Sequence, residues 1–377
     1  MSWKTIKLNE IVSTAKGKKH NEVENTSATR YIQIEDLNGS YIPKFTDEKG
    51  IDVLANDVII AWDGANAGKV GTNLTGVIGS TLARLRPLND NVNGRFLFRY
   101  LQAKEAEIKS KRTGATIPHV NGGELRNLQI PMPPLSIQLK IAAILDKADE
   151  LRRKDKALLA QYDKLLQSIF YQMFGDPVKN DKGWEIKTLG DVCTSIKDGP
   201  HVSPRYVKEG VPFISVNNII KGYWDLSNVR YISEKDHEIY KAKCNARIGD
   251  VLYTKGGTTG FAKCVDIDFE FSNWVHLAVL KFDRGLLEGK FLESMLNHDF
   301  CYTQSQLFTR GIANRDLVLG QMKRIKILLP PIEVQRRFAI MAQHILEIKQ
   351  TMLKQITHSE SLFQSLLQKA FKGELIK

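Results

Sequence analysis

The chain has 377 residues, of which 42% are hydrophobic and 25% are charged, and its formal net charge is +12. This size and composition predict a soluble protein of two or three domains. No run of apolar residues approaches the ~18 needed to span a membrane, and the start "MSWKTIKLNE" lacks the apolar core of a signal peptide. We therefore expect a cytoplasmic protein with no membrane partner, and the positive charge favours a polyanionic partner.

In chain order, residues 1–132 combine short strand-like runs, Gly-rich turns and a helix, and are named domain 1. Residues 133–176 follow as a long amphipathic helix that begins after a Pro-Pro pair and ends at "FGDP". Residues 177–329, named domain 2, repeat the elements of domain 1, and residues 330–377 form a second long helix after another Pro-Pro pair. The predicted fold class is α+β, with two related mixed α/β domains separated by two long helices.

Apolar residues in both helices recur at alternating steps of four and three, which keeps one apolar seam against a partner helix. We expect the two seams to pack on each other in an antiparallel coiled coil that holds the domains apart. The predicted seam residues are Ile137, Ile141, Ile144, Leu151, Leu165 and Ile169 in the first helix, and Val334, Phe338, Met341, Ile345, Ile348, Leu362 and Leu366 in the second.

The two halves of the chain form an internal repeat. The phrases "LLQSIF" at Leu165 and "LFQSLL" at Leu362 are separated by 362 − 165 = 197 residues, and the same offset relates Gln138 to Gln335. Upstream, "AWDGANAGKV" in domain 1 resembles "YTKGGTTGFA" in domain 2. A duplicated chain whose globular halves have diverged suits a ligand with two separated, non-identical half-sites.

This arrangement resembles the specificity subunits of type I restriction-modification systems, and the resemblance covers essentially the whole chain. It rests on the order domain, helix, domain, helix, on the helix starts "PPLSIQ" and "PPIEVQ", and on the helix ends "LLQSIFYQMFGD" and "LFQSLLQKAFKGEL". In domain 2, "KDGPHVSPRYVKEGVPFISVNNI" and "GDVLYTKGGTTG" are also similar to that family.

The resemblance implies a non-catalytic subunit with two target-recognition domains, each reading one half of a bipartite, asymmetric site in double-stranded DNA. It further implies that the helices set the gap between the half-sites and dock two methyltransferase subunits. S-adenosylmethionine, ATP and magnesium are then expected on the methyltransferase subunits and on the restriction (motor) subunits, and none is expected on this chain.

Phosphates and base edges are contacted by basic and small polar side chains, so the Gly-rich turns that carry such residues are the best candidates for DNA contact. The segments "KRTGA" and "FTRGIA" stand at matching places before the two Pro-Pro pairs. The candidates are Lys16, Lys18, Lys19, Lys69, Arg112 and Thr113 in domain 1, and Lys197, His201, Ser203, Arg205, Lys255, Thr258, Thr259, Arg310, Asn314 and Arg315 in domain 2.

Two other classes of protein remain as alternatives: a self-contained restriction or modification enzyme, and a coiled-coil scaffold with no DNA role. "GANAGKV" departs from a phosphate-binding loop in its glycine spacing and in the Val that follows Lys69. Asp181, Glu185 and Lys187 superficially suit a nuclease, but the repeat places Lys4 opposite Glu185, so domain 1 lacks this carboxylate. Neither pattern predicts catalysis, and the charged Gly-rich turns do not favour a scaffold.

Isolated cysteines and histidines give no metal or catalytic pattern. The four cysteines are not at metal-site spacing, so free thiols are expected. His119, His201 and His276 are interpreted as turn or packing residues, because no partner is placed near them by spacing.

Overall fold

A computed structural model describes the chain over residues 3–39, 42–114, 116–311 and 314–376. Contacts between residues divide the chain into two units. Unit 1 contains Met1–Ala157 and Leu353–Lys377, and unit 2 contains Leu158–Met352. This division differs from the four segments that the sequence suggested, because each long helix contributes one part to each unit.

Unit 1 is built from short strands and from helices that are mostly short. Its strands are β1 (Thr5–Lys7), β2 (Val12–Lys16), β3 (Thr29–Ile32), β4 (Lys44–Thr46), β5 (Asp52–Val53), β6 (Val58–Ala61), β7 (Val70–Thr72), β8 (Gly76–Ile78), β9 (Leu82–Pro87) and β10 (Gln129–Pro131). Its helices are α1 (Leu8–Ile11), α2 (Gly94–Ala103), α3 (Glu105–Ser110), α4 (Gly122–Arg126) and the first part of α5 (Leu135–Phe174), with a 3-10 turn at Ile34–Asn38.

The strands of unit 1 form two four-stranded sheets and a short pair. One sheet is antiparallel, in the order β2-β9-β6-β7. The other has the order β4-β3-β8-β5, in which β3 and β8 are parallel, and β1 pairs with β10. Strand β6 is buried along its whole length and packs with the apolar face of α2, where Leu97 and Leu101 are fully buried.

Unit 2 repeats this construction. Its strands are β11 (Glu185–Thr188), β12 (Cys193–Asp198), β13 (Tyr206–Val207), β14 (Val211–Ile214), β15 (Arg230–Ile232), β16 (Val251–Thr254), β17 (Ala262–Cys264), β18 (Ser272–Asn273), β19 (Leu277–Phe282) and β20 (Lys326–Leu329). Its helices are the last part of α5, α6 (Leu189–Val192), α7 (Glu234–Lys243), α8 (Gly289–Asn297), α9 (Asp299–Phe308), α10 (Leu319–Met322) and the first part of α11 (Ile332–Lys372), with a 3-10 turn at Val216–Asn218.

The antiparallel sheets of the two units correspond strand by strand, and the second sheets share one parallel pair. The antiparallel sheet of unit 2 has the order β12-β19-β16-β17, which matches β2-β9-β6-β7. The second sheet has the order β13-β15-β14-β18, and its parallel pair β14-β18 matches β3-β8. The expected fold class of two related mixed α/β domains with two long helices is confirmed.

Each Pro-Pro helix start is fixed by the glutamine five residues beyond the first proline of the pair. In unit 1, Gln138 donates to the carbonyl of Pro133 and accepts from the backbone N–H of Asn93, the residue that caps α2. In unit 2, Gln335 donates to the carbonyl of Pro330 and accepts from the N–H of the α8 cap residue in the same way. Both glutamines are buried, so the repeated "PPxxxQ" pattern links each long helix to its own domain.

The long helices run antiparallel within each unit. In unit 1, Arg152 contacts Glu360 at 2.6 Å, whereas Asp155, further along α5, accepts from Gln355, which lies earlier in α11. In unit 2, the rings of Phe170 and Phe338 are 5.7 Å apart. Asp163, which lies earlier in α5, contacts Lys349, which lies later in α11. The antiparallel arrangement predicted from the repeat is therefore present in both units.

The predicted seam needs correction at six of its residues. Ile141, Phe338 and Ile345 are buried, and four others are half-buried: Ile137, Ile169, Val334 and Leu366. The exposed ones are Ile144 (39%), Leu151 (52%), Leu165 (44%), Met341 (37%), Ile348 (42%) and Leu362 (49%). The alternating four-three spacing selects a single stripe of residues along each helix. The buried face also includes neighbouring residues such as Ala142 and Leu145, because each helix packs on its own domain as well as on its partner helix.

Among the described residues, no helix combines the length and the apolarity that a membrane span requires.

Candidate nucleic-acid interface

Three segments of domain 1 that carry predicted contact residues meet at one end of the β2-β9-β6-β7 sheet. They are the strand end (residues 16–19), the hairpin turn between β6 and β7 (residues 62–69) and the closed loop (residues 113–119), whose residue 115 lies outside the described part. The N–H of Gly64 donates to the carbonyl of Pro118 at 2.9 Å, and the N–H of Val120 donates to the carbonyl of Trp62 at 2.9 Å. These bonds bring together residues that are far apart in the sequence.

An ion cluster joins the three segments of domain 1. Asp63 in the hairpin turn lies 2.6 Å from Lys16 Nζ and 2.6 Å from His119 Nδ1. Burial by itself would raise the pKa of Asp63, but its hydrogen bonds with Lys16 and His119 hold that pKa below its ordinary value. The cluster therefore contains an ionised carboxylate between a lysine and a histidine at the surface.

Domain 2 forms the same three segments: the strand end (residues 197–205), the hairpin turn (residues 255–261) and the closed loop (residues 310–316). Residues 312 and 313 lie outside the described part. The N–H of Gly257 donates to the carbonyl of Arg315 at 3.1 Å, and the N–H of Leu317 donates to the carbonyl of Lys255 at 2.7 Å. These two bonds repeat those of domain 1, so both domains build this surface with one backbone pattern.

The ion clusters of the two domains are built from different side chains. Lys255 Nζ in the hairpin turn of domain 2 lies 3.1 Å from Asp316 and 3.6 Å from Asp198. Asp198 takes the strand-end position of Lys16, since the two residues pair with matching positions of β19 and β9. Asp316 takes the closed-loop position of His119, because each residue closes its loop by a pair of backbone hydrogen bonds.

Burial and pairing also set the charge of Asp198. Burial would raise its pKa, whereas hydrogen bonds with Lys243 and His201 and the charge of Lys255 hold the pKa below its ordinary value. Lys243 donates to Asp198 at 3.1 Å and to the carbonyl of Gly199 at 2.7 Å. Domain 2 therefore holds a lysine between two carboxylates, whereas domain 1 holds a carboxylate between a lysine and a histidine.

A glycine is required in each closed loop. Gly114 and Gly311 have φ of +90° and +83°, a backbone conformation that residues other than glycine rarely adopt. A Cβ on Gly114 would lie 2.3 Å from the carbonyl oxygen of Ile117, and one on Gly311 would lie 2.3 Å from that of Asn314. This geometry explains why "KRTGA" and "FTRGIA" share only the glycine, and it places Arg310 at the position of Thr113.

Most of the predicted contact residues lie on this surface with exposed side chains, and their contact with DNA stays a prediction. The exposed residues are Lys16, Lys18, Lys19 and Thr113 in domain 1, and Lys197, His201, Ser203, Arg205, Thr258, Arg310, Asn314 and Arg315 in domain 2. Lys69 is half-buried at the end of the hairpin turn of domain 1.

Three predicted contact residues with buried or half-buried side chains have internal partners that revise their role. Arg112 is half-buried and donates to the carbonyls of Lys109 and Ala65, which joins the closed loop to the hairpin turn. Lys255 is 7% exposed and lies in the ion cluster, and Thr259 is 2% exposed and accepts from the Thr309 hydroxyl. These side chains position the turns and do not present unpaired donors at the surface.

Domain 2 also contains a cleft that the sequence did not reveal. Its volume is about 880 Å³, and it borders the hairpin turn at Gly256, Gly257 and Thr258. The lining includes Trp274 and His276, two residues in a stretch that resembles an ordinary strand. The sequence favours turn or packing roles for His119 and His276, and both lie in turns or loops; His119 also belongs to the ion cluster, and His276 also lines the cleft.

Groups that could hold a metal or act as nucleophiles are accounted for by internal contacts. His237, Glu238 and Glu270 lie close enough to share an ion, but Glu270 already accepts from Lys241 at 2.7 Å. The four cysteines are free, and burial raises the pKa of the Cys193 thiol to about 12 and that of Cys244 to about 11. These thiols are protonated at neutral pH and are unsuited to nucleophilic attack.

Comparisons with known proteins agree with this duplicated architecture. The family model described as the type I restriction modification DNA specificity domain matches residues 1–161 and 181–359. The MjaVIII specificity subunit of a type I restriction enzyme from Methanocaldococcus jannaschii is 25% identical over 97% of this chain and 92% of its own length.

Two solved structures share the fold. The type I restriction-modification S subunit from M. genitalium covers 98% of this chain and 96% of its own length, with a TM-score of 0.65 and 16% identity. A chain from a study of complex assembly and conformational transition of the type I R-M system covers 99% and 98%, with a TM-score of 0.54 and 22% identity. From the match to both repeats, the chain belongs to the family of type I restriction-modification DNA specificity domains.

Proposed function

We propose that this chain is the DNA-reading subunit of a type I restriction-modification complex. Domain 1 and domain 2 each bind one half of a bipartite, asymmetric site in double-stranded DNA. The two long helices set the number of base pairs between the half-sites and dock two methyltransferase subunits, and restriction subunits join the full complex.

The observation that carries this proposal is the duplicated surface with different side chains at matched positions. A shared backbone pattern presents Lys16, Asp63 and His119 in domain 1, but Asp198 and Asp316 around a lysine in domain 2. Base edges are distinguished by their patterns of hydrogen-bond donors and acceptors. Two surfaces with one backbone pattern and different side chains are therefore suited to two different base sequences.

The chain itself is proposed to be non-catalytic. Adenine methylation with S-adenosylmethionine and DNA cleavage driven by ATP with magnesium belong to the partner subunits. Exposed apolar residues on the long helices, such as Leu151 and Leu362, support the docking of partners there.

The test is selection of bound duplexes from a randomised DNA library, using the full chain assembled with its methyltransferase partner. We expect a site with two specified half-sites separated by a fixed number of unspecified base pairs. Recovery of unspecific DNA, or of one continuous site, would contradict the proposal.

Assays of the full chain with and without its methyltransferase partner separate the two alternatives. A self-contained enzyme would methylate or cleave DNA without its partners when S-adenosylmethionine, ATP and magnesium are supplied. A coiled-coil scaffold would assemble with the partner but would not enrich any DNA sequence. We expect neither outcome.

A further inference from the structure

The cleft of domain 2 is lined by rings and uncharged polar groups. Its walls come from the strands and loops around β13, β14, β15 and β18, and from the hairpin turn. The charged residues of its lining are Lys221, Asp225 and Arg230, and Lys221 donates to Asp225 at 2.6 Å. A groove that follows the phosphate backbone needs several unpaired cations. This lining, which also includes Asn217 and Asn228, is better matched to base edges.

A continuous row of rings crosses the cleft. Tyr206 and Phe213 have ring centroids 6.1 Å apart, Phe213 and Trp274 are 5.6 Å apart, and Trp274 and His276 are 6.1 Å apart. The guanidinium of Arg230 lies over the Tyr206 ring at 4.7 Å. Because each ring packs against the next, the row holds Trp274 and His276 in fixed orientations.

His276 connects this row of rings to the hairpin turn that carries the ion cluster of domain 2. Gly256 in the hairpin turn faces the imidazole so closely that a Cβ on this glycine would lie 2.3 Å from His276 Cδ2. Burial and the nearby charge of Lys255 lower the pKa of His276, while Asp316 acts in the opposite direction. The imidazole is therefore neutral at pH 7, with one donor and one acceptor nitrogen.

Domain 1 has different residues at these positions. The N–H of Trp274 donates to the carbonyl of Ile214 at 2.8 Å, as the N–H of Gly79 donates to the matching carbonyl in domain 1 at 2.9 Å. Two residues further on, the backbone carbonyl of His276 accepts from the N–H of Lys255, the first residue of the hairpin turn. In domain 1, the carbonyl of Thr81 accepts from the N–H of Trp62 in the same way. The backbone is retained, but a glycine and a threonine replace the two rings.

We propose that this cleft reads base edges of the half-site bound by domain 2, and that Trp274 and His276 are its specificity-determining residues. The inference rests on the proposed function and adds the residues and the chemistry that read one half-site. Trp274 supplies an apolar ring face for a thymine methyl group or a base edge, and His276 supplies a donor and an acceptor.

The test is the double variant W274G/H276T, which gives domain 2 the residues of domain 1, in the full chain assembled with its methyltransferase partner. Selection from a randomised library should show that preference at one or more positions of the second half-site falls about tenfold or more, because a specific base contact is lost. The first half-site and the gap should not change. Tyr302→Ala is the control, since this exposed tyrosine on α9 does not line the cleft.

If the double variant does not assemble, the single variant H276T carries the test, because His276 is exposed and its loss removes no buried side chain. An unchanged second half-site in an assembled variant overturns the inference. So does equal weakening on all sequences, which indicates a phosphate contact, and so does a change confined to the first half-site. Failure of the parent complex to select a bipartite site overturns the proposed function itself, so the two failures are distinguishable.

Discussion

Domains 1 and 2 have the same strand order in the antiparallel sheet, the same turn-and-loop hydrogen bonds and the same glycine in the closed loop, but they differ at the side chains which this backbone presents. Asp63 lies between Lys16 and His119 in domain 1, whereas Lys255 lies between two carboxylates in domain 2. Backbone hydrogen bonds are satisfied independently of the exposed side chains, so divergence at the surface costs little stability. A duplicated scaffold can therefore present two different recognition surfaces.

The helix pairs of the two units differ in a comparable way. In unit 1, Asp149 is 2% exposed and binds Arg99 at 3.2 Å and Arg152 at 2.6 Å. In unit 2, the residue at the repeat offset of 197 from Asp149 is Leu346, so the matching position carries no charge. Ring packing is common to both units, since Phe371 packs against Phe96 at 5.6 Å in unit 1 as Phe174 packs against Phe291 at 4.7 Å in unit 2. The buried carboxylate of Asp149 is the feature that unit 2 does not repeat at the matching position.

The largest expected effect comes from breaking the buried charges of unit 1. Asp149→Ala removes the carboxylate that Arg99 and Arg152 share. Arg99 keeps Asp146 as a partner and Arg152 keeps Glu360, so we expect the free energy of unfolding to fall by about 2–3 kcal/mol. Calorimetry of the full chain measures this change. The exposed neighbour Glu150 is the control, and Glu150→Ala should change stability by less than about 0.5 kcal/mol. Equal effects of the two variants would show that the cluster does not specify the pairing.

The pH dependence of the same variant sharpens the comparison. Burial would raise the pKa of Asp149, but the charges of Arg99, Arg153 and Arg152 outweigh it and hold this pKa below its ordinary value. A carboxyl with a lowered pKa stabilises the fold above its unfolded pKa of about 3.9, and this stabilisation is lost as pH falls through the folded pKa. The stability difference between parent and Asp149→Ala should be constant from about pH 5 to 8 and should narrow below about pH 4. A constant difference down to pH 2 would contradict this prediction.

A smaller effect is expected at the closed-loop glycines, and it should be the same in both domains. Gly114→Ala and Gly311→Ala each place a methyl group at positive φ against a carbonyl oxygen, which should cost about 1–3 kcal/mol. Thermal unfolding of each variant gives the cost, and library selection should show altered preference only in the half-site of the mutated domain. Altered preference in the other half-site would mean that the domains have been assigned incorrectly.

The smallest effect concerns one exposed charge. Arg310 and Thr113 occupy matched loop positions, so Arg310→Ala should reduce the slope of log affinity against log salt by about 0.9 if the arginine contacts a phosphate. Thr113→Ala removes no charge and should leave the slope unchanged. Titrations at several salt concentrations make the comparison, and an unchanged slope with Arg310→Ala would remove this residue from the phosphate-contacting set.

Local patterns in the sequence were sufficient to predict the repeat, the two long helices and the Gly-rich turns. The helices were predicted at residues 133–176 and 330–377 from the Pro-Pro pairs and apolar spacing, and they extend over Leu135–Phe174 and Ile332–Lys372. Proline, glycine and helical spacing act within a few residues of themselves, so their effects can be read along the chain.

Contacts between distant residues were decided by the tertiary structure alone. Lys16, Asp63 and His119 form one cluster only because strand pairing and loop closure bring three separate segments together. Trp274 and His276 line a cleft because β18 pairs with β14. The neighbouring sequence does not distinguish these two residues from residues of a buried strand. Sequence spacing determines which residues share a face of one element, whereas the packing of several elements determines which face becomes a site.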